Sequence, residues 1–137
     1  MTRREVRDSA FKIIFESLLR DDTLEELFEL ASGIDEVPVD DEVKEMVTGI
    51  AAKSDELDGI IASFSKKRAF SRIAKINIAI LRIAFYEILF SDKIPVNAAV
   101  SEAVLLAQNY SYKEDISFVN GVLGAYVRST EEKKEEN

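Results

Sequence analysis

The chain contains neither histidine nor cysteine. That removes the commonest general base, the commonest zinc ligands, thiol nucleophiles and every triad that needs an imidazole. The five glycines are scattered at 33, 49, 59, 121 and 124, so no glycine-rich loop is present to cradle a phosphate. Ser/Lys and paired-carboxylate chemistry survive on composition alone, but no spacing supports either. Asp40, Asp41, Glu42 and Glu45 form the densest acid cluster. They lack the alternating oxygen ligands and central glycine of a calcium loop, and are expected to be the solvated start of a helix. No enzyme activity, metal or cofactor is expected. Binding is the function left to consider.

Cations carry that possibility. The net charge is −8, which on its own disfavours nucleic acid, but its distribution is uneven. Residues 1–20 hold five basic and three acidic side chains, a local +2. Residues 21–58 hold fourteen acids against Lys44 and Lys53. Residues 59–82 carry Lys66, Lys67, Arg68, Arg72, Lys75 and Arg82 with no acid at all. Phosphate affinity depends on where cations cluster as well as on their total. The two basic islands would make one basic face if the fold brought them together. In the first, Arg3 and Arg7 share a helical face with Arg4 adjacent, and Lys12 extends the stripe.

The elements that must position these residues are helices. Apolar residues recur at helical spacing, and only two prolines interrupt them. Phe11, Ile14, Phe15 and Leu18 mark a helix over about 3–20. Thr23 with Glu26 is a capping box opening a second, which Gly33 ends. Residues 34–39, with Pro38, form a loop, and Asp40 or Asp41 caps a third helix. A break near Ser54 precedes a fourth, ending at Phe64. The basic stretch 65–72 connects two halves. Residues 74–90 are apolar nearly all round and belong at the centre of the second half. At 15 residues with Asn77, Arg82 and Glu87 inside it, the apolar run 76–90 is too short and too polar to span a bilayer. Pro95 starts the next helix, 109–113 is a loop, and the last helix carries Ile116, Val119, Val122, Leu123 and Tyr126. The expected fold is all-α, a compact bundle of about seven helices in two packed subdomains. Its single domain spans 1–128, with halves 1–64 and 74–128, and residues 129–137 form a disordered charged tail. The N-terminus lacks the apolar run of a signal peptide, so a soluble cytoplasmic protein without membrane contact is expected.

The second half also carries a specific string. Ile80-Leu81-Arg82-Ile83-Ala84-Phe85-Tyr86-Glu87-Ile88-Leu89 is followed by Ile94-Pro95, then by Ser101-Glu102-Ala103-Val104-Leu105-Leu106-Ala107, and finally by Phe118-Val119-Asn120-Gly121-Val122-Leu123. It resembles the NusB family, whose "LRLA-YEL", "IP", "NEA-ELA" and "KFVNGVL" segments come in the same order and spacing over about residues 72–126. Arg3, Arg4, Arg7, Ala10 and Phe15 resemble the family's arginine-rich first helix more loosely. The resemblance implies an all-helical, non-catalytic factor that binds single-stranded boxA-like leader RNA together with NusE, the small-subunit ribosomal protein. It implies an indirect link to the RNA polymerase antitermination complex. Some family members form homodimers that hide the RNA face. RNA contacts map onto Arg3, Arg4 and Arg7, and partner contacts onto Glu87, Glu114 and Phe118. The chain departs from the pattern in four places. Glu5 replaces an arginine, Ser101 an asparagine and Ser117 a lysine, while the usual aspartate before the last helix is Glu114, or Asp115 if the register slips by one.

The candidate RNA-binding set is therefore Arg3, Arg4, Arg7, Lys12, Lys67, Arg68 and Arg72, with Lys66 and Lys75 in the same island. Phe11, Phe15, Phe64, Phe85 and Tyr126 sit in apolar stripes and are expected in the core. Phe70, flanked by basic residues, is the stacking candidate. Asn120-Gly121 is expected to serve close helix packing. Two rivals stand beside the RNA-binding adaptor: a NusB-like protein-interaction module with weak or lost RNA binding, favoured by Glu5 and the acidic total, and a free-standing relative of the NusB-like domain attached to some ribosomal-RNA methyltransferases.

Overall fold

Thr2 opens the first helix with a reciprocal cap. Its hydroxyl accepts from the Glu5 backbone N–H at 3.1 Å, and the Glu5 carboxylate accepts from the Thr2 N–H at 2.8 Å. The computed structural model describes residues 1–136, with side chains through Lys134. Among these residues there are seven α-helices, one short 3-10 turn and no strand. They divide into two compact units, residues 1–54 and those from Asp55 onward.

The first unit holds α1 (Arg3–Leu19), α2 (Leu24–Ser32) and α3 (Asp41–Ala52). Thr23 and Glu26 form the capping box of α2, and Asp40, of the two alternatives, caps α3 by accepting from Val43 N–H at 2.9 Å. Much of the acid stretch 21–58 is explained by helix starts. Glu25 and Glu26, Asp41 and Glu42, and Asp55 and Glu56 all fall in first turns, where the positive end of the helix dipole stabilises them. α1 packs on both α2 and α3, and buries Val6, Ala10, Phe11, Ile13 and Ile14, while Leu27, Val43, Val47 and Ile50 are buried on the other two helices. Phe11 and Phe15 stack in parallel at 6.1 Å. Gly33 ends α2 as expected, but in a right-handed conformation with φ of −87°.

The second unit holds α4 (Ser54–Phe64), the 3-10 turn Phe70–Arg72, α5 (Lys75–Phe90), α6 (Val96–Tyr110) and α7 (Lys113–Glu136). α5 packs against α6 and α7 and buries side chains on every face, from Asn77 to Glu87. Phe85 is wholly buried at its centre, where truncation to alanine would cost about 3–5 kcal/mol. Tyr126 on α7 meets Phe64 and Phe85 edge-on, at 5.4 and 5.2 Å between ring centroids. Ser111 Oγ donates to Asn77 Oδ1 at 3.1 Å, tying the end of α6 to the start of α5.

Two boundaries differ from those expected. The division falls at 54/55 rather than after Phe64, so α4 belongs with the second unit. Arg82 of α5 explains why: it grips Asp58 of α4 through two hydrogen bonds of 2.8 and 2.6 Å. The tail expected to be disordered from Ser129 is instead helical to Glu136. Glutamate and lysine are good helix formers, the Ser129 and Thr130 hydroxyls bond back to Tyr126 and Val127 carbonyls, and Lys133 and Lys134 face the negative end of the dipole. Asn137 lies outside the described residues. No helix among them is long and apolar enough to cross a membrane.

Candidate nucleic-acid interface

The first island sits on α1. Arg3 and Arg4 are exposed in its first turn, where cations oppose the helix dipole and need an offset. Glu5 supplies it. The residue that breaks the arginine run is the third residue of the capping box, turned back onto Thr2. The Thr2 backbone N–H, then its hydroxyl, hold the charged carboxylate and draw its pKa below the ordinary glutamate value. Thr2 and Glu5 have the same spacing as Thr23 and Glu26, so the sequence carried this signal.

Arg7 differs from Arg3 and Arg4 in burial. It is only 3% exposed and is engaged within the fold. The reason is helical phase: Arg7 lies three, four and seven residues before Ala10, Phe11 and Ile14, all buried. Lys12 is half-buried, 3.1 Å from Asp8 and donating to the Glu36 carbonyl at 3.1 Å. It holds the loop after α2 against α1 more than it extends a basic surface. Arg20, just past α1, pairs with Asp22.

The second island lies in the second unit, where a tight turn presents it. Ser65 is buried; its hydroxyl donates to the Ala62 and Arg68 carbonyls at 3.4 and 3.3 Å, and Arg68 N–H donates to Ser65 O at 3.2 Å. Lys66 and Lys67 are thereby left exposed at the tip. Ile73 is buried and anchors the far side, with Arg72 and Lys75 exposed around it and Phe70 half-buried. Arg82 does not join them, because Asp58 neutralises it.

Arg68 links this island to α7. Its guanidinium lies 3.8 Å from Asp115 Oδ1 and sits over the Phe118 ring, 4.4 Å from the centroid, a cation–π arrangement. Of the two carboxylates left open by the register, Asp115 is the one that engages the island, and Glu114 is exposed. Phe118, expected on a partner surface, is thus brought together with the basic residues. Glu87, expected as a partner residue, is 3% exposed on the all-round apolar α5 and is engaged there. Asn120-Gly121 departs from its expected packing role. Both are exposed, and a Cβ at Gly121 would meet nothing within 4 Å, so no helix packs closely there.

An exposed set of cations next to a guanidinium-covered aromatic ring, with no cluster of metal-ligating residues among the described ones, is suited to holding a polyanion with planar groups. The NusB family model matches residues 4–128. The chain belongs to the NusB family. Two relatives named transcription antitermination protein NusB illustrate the match. One, from Acetivibrio thermocellus, is 39% identical over 132 residues, covering 93% of this chain and 90% of the relative. The other, from Clostridium acetobutylicum, is 38% identical over 135 residues, covering 97% and 100%. Among solved structures, T. maritima NusB aligns with a TM-score of 0.77 and 29% identity, over 90% of this chain and 89% of that one. A chain from a complex of the antitermination factors NusB and NusE with dsRNA aligns at 0.80 and 25% identity, over 93% and 96%. The all-helical NusB fold expected from the motif string is the fold observed.

Proposed function

We propose that this NusB-family chain is a non-catalytic antitermination factor that binds single-stranded boxA-type leader RNA together with NusE. Its link to RNA polymerase runs through that complex. The observation that carries the reading is the seating of Arg68 on Phe118 beside exposed Lys66 and Lys67. Cations that hold phosphates and a ring next to them are the two elements by which proteins bind single strands. The alignment with a chain taken from a complex of NusB and NusE with dsRNA supports the RNA and NusE parts of this reading. On the first unit Arg3 and Arg4 are exposed, whereas Arg7 is buried and Lys12 holds the loop after α2.

A second reading, a protein-interaction module with lost RNA binding, is favoured by the net charge of −8 and the burial of Arg7. Fluorescence anisotropy with a labelled boxA-type single strand, with and without NusE across a range of salt, separates the two. Binding that strengthens with NusE and weakens steeply with salt is expected. NusE binding without any RNA affinity would leave only the second reading.

A further inference from the structure

The chain has four tyrosines. Tyr86 packs on Phe90 at 5.6 Å, Tyr126 lies between Phe64 and Phe85, and Tyr110 is half-buried. Tyr112 differs from all of them, because 80% of it is exposed. The segment beneath it is nevertheless well fixed. The Tyr112 carbonyl accepts from the backbone N–H groups of Asp115 and Ile116 at 2.9 and 3.3 Å, so the residue forms the first turn leading into α7. One step along the same turn, Asp115 holds Arg68, and Arg68 covers Phe118. Lys113 is exposed next door.

We propose that Tyr112 is a base-stacking residue, its ring taking the face of an unpaired nucleobase of single-stranded RNA at the start of α7. This rests on the RNA-binding reading above and adds a contact to it. A tyrosine ring is a flat apolar surface with only two side-chain torsions to freeze, so stacking costs it little entropy. Its attraction for a base is not electrostatic in the way of Lys66 or Lys67. That matters here, since exposed Glu114 two residues on would oppose a phosphate but not a neutral base. Rings and cations are then neighbours at this turn: Lys113 follows Tyr112 in the chain, and Arg68 covers Phe118. Such neighbours let a strand lay its bases on rings and its phosphates on cations.

The test uses the full chain and a fluorescein-labelled boxA-type single strand, with NusE present and absent. Tyr112→Ala should weaken RNA binding by about 5-fold or more, the low end of what one stacked base loses on alanine substitution. The salt dependence should keep its slope, because no phosphate contact is removed. Tyr112→Phe, which keeps the ring, should bind like the parent chain. The loss should vanish on a strand in which one particular base is replaced by an abasic site. Because the side chain is exposed, both variants should melt like the parent. Unchanged RNA affinity in Tyr112→Ala would overturn the inference while leaving the RNA-binding reading intact. A parent chain that binds no RNA in either condition would overturn both. Weakened NusE binding in the absence of RNA, with RNA affinity unchanged, would assign the ring to a protein partner and also overturn the inference.

Discussion

Removing the exposed pair Lys66 and Lys67 tests the proposed phosphate contacts most directly. Both sit at the tip of a turn whose fold depends on Ser65, Arg68 and buried Ile73 rather than on either lysine, so Lys66→Ala/Lys67→Ala should leave stability unchanged. On a single strand, log K falls with log salt at about −0.7 per phosphate neutralised. Two lost contacts should therefore flatten the slope by about 1.4, and at 0.1 M salt the affinity should drop by roughly 25-fold, about 2 kcal/mol. Near 1 M the variant and the parent should converge. Lys44→Ala on α3, an exposed cation in the acid-rich stretch, serves as the control and should change neither slope nor affinity. The assay is anisotropy of a labelled boxA-type RNA over a salt series. Parallel lines for the double variant and the parent would refute the assignment of this turn to the phosphates, whatever the absolute affinity.

Three other outcomes follow from the geometry. Asp58→Ala should destabilise the second unit by about 2–4 kcal/mol in urea unfolding, because it strands the Arg82 guanidinium, whose side chain is only 14% exposed. The Asp58→Ala/Arg82→Ala pair should cost clearly less than the sum of the single changes, and strict additivity would argue against the pairing. Glu5→Gln should remove a stretch of acid sensitivity. The folded-state pKa of Glu5 is lowered, so its contribution is present above the ordinary glutamate value and lost as pH falls through the lowered one; helix content followed by circular dichroism on acid titration reads the difference. Gly121→Ala should raise stability by about 0.5–1 kcal/mol in the same urea assay, since the position is exposed, helical and open around a new Cβ.

Helical phase explains which parts of the fold were legible. Elements whose apolar residues repeat at three and four, with caps such as Thr23 and Asp40, were readable because many residues agree on each. The boundary at α4 was not, because it depends on long-range contacts, Asp58 with Arg82 and Phe64 with Tyr126, twenty-four and sixty-two residues apart. The end of α7 failed for the opposite reason. Its charged residues bury nothing, so hydrophobic patterning is silent there, while propensity and the last-turn lysines favour the helix.

The site was less legible because it depends on single residues rather than on repeats. Spacing alone put Arg3 and Arg7 on one face, yet the same spacing puts Arg7 with Ala10, Phe11 and Ile14, and the apolar residues decide. Glu5 looked like a lost arginine, and it is the capping residue that lets Arg3 and Arg4 stand at a helix start that cations would otherwise weaken. A gain of affinity from Glu5→Arg would thus be opposed by a frayed first turn. The junction of Arg68, Asp115 and Phe118 joins residues some fifty positions apart, which no local pattern could have paired. It places an aromatic assigned to a protein partner under a cation assigned to RNA. Any variant of Phe118 will therefore disturb Arg68 as well, and only measuring RNA and NusE binding separately can divide its effect between the two ligands.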